Sequence, residues 1–222
     1  MLSGSTIILA LILAASAIGL SSRKFIERTV LRPYQIAHGS AYQTLLTSGF
    51  VHADLMHLLF NLFTFYSFAA PLERTIGTPQ FVMLYCCGLL ISGVGTVVKH
   101  RNEPNYASLG ASGAVLAVLF ASIVYFPSQR ILILPIPLPI PAPLFALAYL
   151  AYSYYSSGRN TARAAQPEPD APGADSPPAR TVGSGRRDNI NHDAHIFGAL
   201  TGVVFVLLTN PEQFQALLHA FF

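Results

Sequence analysis

Apolar residues fall along this chain in long, nearly unbroken runs, without the regular polar positions that mark helices with one wet face. Six runs stand out: Ser5–Leu20, Ala53–Ala70, Phe81–Val98, Ala111–Phe126, Ile131–Tyr155 and Ala194–Thr209. Crossing the hydrocarbon of a bilayer takes roughly 17–25 mostly apolar residues, so each run predicts a membrane helix, several of them slightly short. The pattern predicts an all-α integral membrane protein, a six-transmembrane-helix bundle. A soluble α/β core would need polar-faced helices between the apolar runs, and those are missing.

Composition agrees: 52% of residues are hydrophobic, 10% are charged and the mean hydropathy is +0.49, far from a soluble balance. The first run has a competing interpretation, because Ala15-Ser16-Ala17 resembles a signal-peptide cleavage site. No Lys or Arg precedes Arg23, however, so the basic leader of such a peptide is missing and a retained helix is expected. Cys86 and Cys87 are adjacent in the third run; neighbours in a helix point about 100° apart, and two cysteines make no disulfide or metal framework.

Connections are short except for 156–189, rich in Pro, Ala, Gly, Ser and scattered charge, which predicts a disordered loop inserted into a single domain covering 1–222. Before it, prolines recur at 135, 137, 139, 141 and 143. Each removes a backbone donor and clashes with the preceding helical turn, so the fifth helix is expected to begin near Ala142 after an extended approach. Residues 213–222 are too short to span and are expected at the interface.

Polar and ionisable groups are costly at membrane depth, so those within the runs are functional candidates. Three clusters qualify: Gly110-Ala111-Ser112-Gly113, Ala194-His195 and His57-Leu58-Leu59-Phe60-Asn61. With six spans, the second, fourth and sixth start on the same side, which brings all three to similar depth. A serine between two glycines can open a helix with its first amides unpaired, a natural site for an oxyanion. Gly198 and Gly202 form a small-xxx-small stripe that would let the sixth helix approach the fourth closely.

These motifs resemble those of the rhomboid intramembrane serine proteases: Gly-x-Ser-Gly, Ala-His with trailing glycines, and His-x-x-x-Asn. The resemblance covers most of the chain and implies a rhomboid-like membrane domain in which Ser112 is the nucleophile, His195 its general base, and His57 and Asn61, with the Ser112 amide, the oxyanion donors. His52 matches a family histidine with a supporting role. A positioned imidazole is what makes a serine hydroxyl nucleophilic and later returns the proton to the leaving amine. Two positions depart from the family habit: Tyr42-Gln43 stands where many members have Trp-Arg, and Leu116 stands four residues after the serine, where many have a tyrosine stacked on the histidine.

Each residue also has a plainer assignment. Gly-x-Ser-Gly alone also arises as a packing stripe. Asp193 could complete a triad, but two residues before His195 it points about 160° away, which suits a helix cap or solvent better. His52, His57, His192 and His195 could suggest zinc, yet there is no His-Glu-x-x-His and no paired carboxylate in the runs, so no metal or other cofactor is expected. His38, His100 and His219 fit surface or interface positions, and Glu73-Arg74 a solvated loop pair.

The reading is therefore a multi-pass protein of the cell (inner) membrane that hydrolyses peptide bonds in or near transmembrane segments of other proteins. Its partners are those substrates and the lipid bilayer, with no nucleic acid. The alternatives are a catalytically inactive rhomboid-like scaffold or quality-control adaptor, which usually lacks the serine or the histidine, and a transporter, disfavoured by the lack of charge within the spans. Orientation is contested. The family habit opens the active site to the outside, whereas 11 of the 13 Lys and Arg lie on the active-site side, against Arg74 and Arg130 on the other, and positive charge stays cytoplasmic. The reading keeps the family orientation.

Overall fold

A computed structural model describes residues 2–133, 138–164 and 191–219 of the chain. It is mostly helical. Helix α1 (Gly4–Ser21) is capped by Ser3, whose hydroxyl accepts from the Thr6 amide at 3.2 Å. Its next two amides, on Gly4 and Ser5, donate to the Glu73 carboxylate at 2.7 and 2.9 Å, and the Thr78 hydroxyl donates to the same group at 2.7 Å. A carboxylate at a helix start satisfies orphan amides and complements the dipole. Glu73 is thus buried inside α5 (Leu55–Ile76), not solvated beside Arg74 as its sequence suggests.

Between α1 and α5 the chain folds into α2 (Arg23–Thr29), α3 (Pro33–Ala37) and α4 (Thr44–Thr47), with α3 and α4 resting against α6 (Thr78–His100). Leu31 and Ser108 exchange two backbone hydrogen bonds of 3.0 Å, tying this loop to the segment that enters α7 (Ser112–Tyr125). Helix α7 is the centre of the molecule, buried at every residue from Ser112 to Val124. It packs against α5, α6 and α9 (His192–Thr209), and α10 (Pro211–His219) follows. A Cβ at Gly198 would strike the Gly113 backbone, and one at Gly202 the backbone of Ala117, so these glycines bring α9 into backbone contact with α7.

The fifth run divides. Arg130–Ile133 (β1) and Leu138–Pro141 (β2) pair antiparallel, Ile131 opposite Ile140 and Leu132 opposite Pro139, before α8 (Ala142–Ala164) begins at the expected residue. The Ala142 amide donates to Gln129 at 2.9 Å, which places Pro139 and Pro141 in the non-hydrogen-bonded pairs. Pro139 and Pro141 therefore forfeit only outward-facing donors, where no ladder bond is lost. Helix α8 runs through Ala164, beyond Ser156, where the disordered insertion was expected to start; 165–189 of that insertion lie outside the described residues.

Among the described residues four helices are long and apolar enough to cross a membrane: α1, α5, α6 and α9. The apolar run at Ala111–Phe126 gives a helix of only 14 residues, about 21 Å at 1.5 Å per residue.

Candidate active site

Ser112 is the first residue of α7, and the turn before it is fixed on three sides. The Gly110 amide donates to Ser48 at 3.0 Å. Gly110 has φ +126°, and a Cβ there would come within 2.6 Å of the His57 ring, so both backbone angle and space demand glycine. His52, fully buried, accepts from the Ala111 amide on Nε2 at 3.3 Å; its Nδ1–H donates to Ser16 at 2.9 Å, and the Ser16 hydroxyl donates to the Phe50 carbonyl at 3.1 Å. Burial first, and the neighbouring His57 second, push His52 down to about 3, so it is a neutral strut joining α1 to the serine turn. Ala111 stands at the cap position of α7 and offers no side-chain acceptor, which leaves the first amides of that helix without a capping oxygen.

Asp54 caps α5 by accepting from the His57 amide at 2.8 Å. His57 and Asn61 follow on one face, one turn apart, and the His57 ring meets His52 edge-on at 4.9 Å. Asn61 is buried and donates one amide hydrogen to the His57 carbonyl at 2.9 Å, leaving the second for another acceptor.

His195 lies in the first turn of α9, whose cap is Asn191: its side-chain oxygen accepts from Ala194 at 2.9 Å while its amide donates to Thr96 and Ser108 at 3.0 Å each. Asp193 is neither cap nor solvated. It is buried, paired with Lys99 at 2.6 Å and with His100 Nε2 at 2.9 Å, and accepts from Ser157 at 2.5 Å. His100, read from sequence as a surface or interface residue, is buried as well, with Nδ1 2.8 Å from Glu103 and its ring stacked on Tyr106 at 3.7 Å.

Ser112, His195, His57 and Asn61 all line one cavity of about 840 Å³, walled by apolar side chains including Phe60, Leu119, Ile131 and Phe145. His52, Gly110, Gly113, Gly198 and Gly202 stand behind it. The ring bond of His195 among the described residues goes to the Tyr149 hydroxyl, Nδ1 to Oη 2.8 Å, and not to Ser112. Bonds between nucleophile and base often tighten only with substrate. Tyr149, Asn191 and Lys99 were not anticipated. Asn191, three residues before a free amide at a helix start, carries a legible capping signature; Tyr149 and Lys99 reach the site across helices, and no local pattern marks them.

The family model for the rhomboid domain matches residues 39–212. The chain belongs to the rhomboid family. Like its fold, this makes it an integral membrane protein. Among relatives, the Bacillus subtilis (strain 168) protein named "Putative rhomboid protease YdcA" is 37% identical over 84 residues, 37% of this chain and 40% of that protein. The human "Presenilin-associated rhomboid-like protein, mitochondrial" is 32% identical over 115 residues, 49% of this chain and 30% of its own length. Arabidopsis thaliana "RHOMBOID-like protein 12, mitochondrial" is 28% identical over 146 residues, 57% of this chain and 43% of its own. This rhomboid thus spans less than half the length of the curated relatives it matches.

Proposed function

We propose that this rhomboid is a six-transmembrane-helix serine endopeptidase that cleaves peptide bonds in or near transmembrane segments of other membrane proteins. The observation that carries the proposal is the meeting of Ser112, His195, His57 and Asn61, from three helices remote in sequence, on a single cavity. Helices α7 and α8 add the two remaining spans, the short α7 being sheltered from lipid by its neighbours.

In this mechanism Ser112 Oγ attacks the scissile carbonyl carbon as His195 Nε2 takes its proton. The carbonyl oxygen becomes an oxyanion held by the Ser112 amide, the Asn61 amide and the His57 ring. Collapse breaks the C–N bond, and the imidazolium gives its proton to the departing amine. Water, deprotonated by the same ring, then hydrolyses the acyl-serine. Preorganised donors count for most here, because no bulk water replaces them in an apolar cavity.

The test is incubation of purified protein with a panel of single-pass membrane proteins beside a serine-directed phosphonate. Cleavage with labelling of Ser112 is expected. A protein that neither cleaves nor labels is the inactive scaffold. We place the protein in the cell (inner) membrane, and membrane fractionation that recovers it elsewhere overturns that placement.

A further inference from the structure

Tyr149 sits on α8, far in sequence from every motif, yet its hydroxyl is the group bonded to His195 Nδ1. The two rings lie 5.9 Å apart, tilted by 31°. Phe145 stacks on Tyr149 at 5.6 Å and Phe120 of α7 approaches at 6.5 Å, so the phenol is held by aromatic neighbours on two helices.

A neutral imidazole carries one N–H, and which nitrogen bears it decides whether the ring can act. Were Nδ1 to accept from Tyr149, the hydrogen would reside on Nε2 and the ring could not take the serine proton. With Nδ1–H donating to the phenol oxygen, Nε2 keeps its lone pair. The phenol must then send its own hydrogen elsewhere. Ser153, one turn along α8, is fully buried, its Oγ completes no well-formed hydrogen bond, and the Tyr149 hydroxyl is the group it approaches. An orphaned buried hydroxyl is costly, and a hydrogen from Tyr149 would satisfy it. Meanwhile Leu116, one turn below Ser112 on α7, has neither ring nor hydroxyl to offer.

We propose that Tyr149 is the positioning residue of the base: it accepts the Nδ1 hydrogen of His195, passes its own toward Ser153, and supplies from α8 the aromatic support that α7 lacks. The inference rests on the proposed protease reading. It makes α8 part of the catalytic apparatus as well as a wall of the cavity.

The experiment compares full-length wild type, Tyr149→Phe and Ser153→Ala in detergent, by kcat and KM on a cleavable transmembrane substrate and by 15N–1H correlation of the histidine rings, His195→Gln assigning the signal. Wild type should show His195 as the Nδ1–H tautomer. Tyr149→Phe keeps the ring and its stacking, so kcat should fall about tenfold at unchanged KM while the tautomers mix. Ser153→Ala should move both readouts the same way, by less, and serves if Tyr149→Phe does not fold. An Nε2–H tautomer in wild type, or a wild-type kcat and tautomer in Tyr149→Phe, overturns the proposal. Wild type that neither cleaves nor takes the phosphonate sinks the protease reading instead, while the tautomer spectrum still decides the role of Tyr149.

Discussion

Two residues of the same helical turn, Asp193 and His195, face opposite environments. On the Asp193 side Lys99, His100 and Ser157 converge on one carboxylate, and His100 also meets Glu103 and stacks on Tyr106. On the His195 side the capping oxygen of α7 is missing, Asn61 has committed one of its two amide hydrogens, and the walls are apolar. A polar clamp of this kind fixes the backbone, so that under the proposed function the facing groups could wait for partners from a substrate. In the proposed mechanism Asp193 would support His195 by anchoring the start of α9, without the direct contact a third triad member makes.

The comparison breaks first at the reacting groups. Ser112→Ala and His195→Ala should each abolish cleavage without altering thermal unfolding, because members of one catalytic unit fail together. Robust turnover by Ser112→Ala ends the serine mechanism. Asn61→Ala and His57→Ala come next, with kcat lower by about 10²–10³, roughly 3–4 kcal/mol, at nearly constant KM. Unchanged kcat in both would make the pair structural.

On the saturated side the losses should appear in stability. Asp193→Ala strips the carboxylate from Lys99 and His100. A fully buried pair so broken costs roughly 3–5 kcal/mol; Lys99 is 34% exposed, so about 2 kcal/mol is expected here, with activity following the loosened helix. Unfolding in detergent with kcat beside it measures both, and a variant as stable as wild type would dissolve the contrast. Confined to acid conditions is a pH dependence from His52. Its folded form stays neutral down to about 3, whereas the unfolded chain takes up the proton near 6.5, so its contribution is complete above 6.5 and is lost as pH falls toward 3. His52→Asn should flatten the unfolding curve across that window, and an unaltered slope would remove His52 from the strut.

The apolar runs and the three motifs were readable because each is local: a span is a length of composition, and Gly110–Gly113 or His57–Asn61 lie within one or two turns. The alternating prolines announced extended chain before Ala142, though not that the missing donors of Pro139 and Pro141 would face outward from a paired hairpin. What escaped were groups whose meaning depends on a neighbour from elsewhere. Glu73 looks like a loop acid until α1 brings two amides to it, Asp193 looks like a cap until Lys99 and His100 arrive, and Tyr149 is one aromatic among many on α8 until the packing of α8 against α9 sets it on His195.

The bond between Ser157 on α8 and Asp193 on α9 also has a consequence for engineering the chain. It closes a ring in the chain, joining α8 to the start of α9 across the long connection. Closure entropy changes by only about 0.6 kcal/mol for each doubling of a loop's length, so a change in the length of that connection should cost the folded bundle little. A reporter or an affinity handle placed there should leave unfolding of the bundle nearly unchanged.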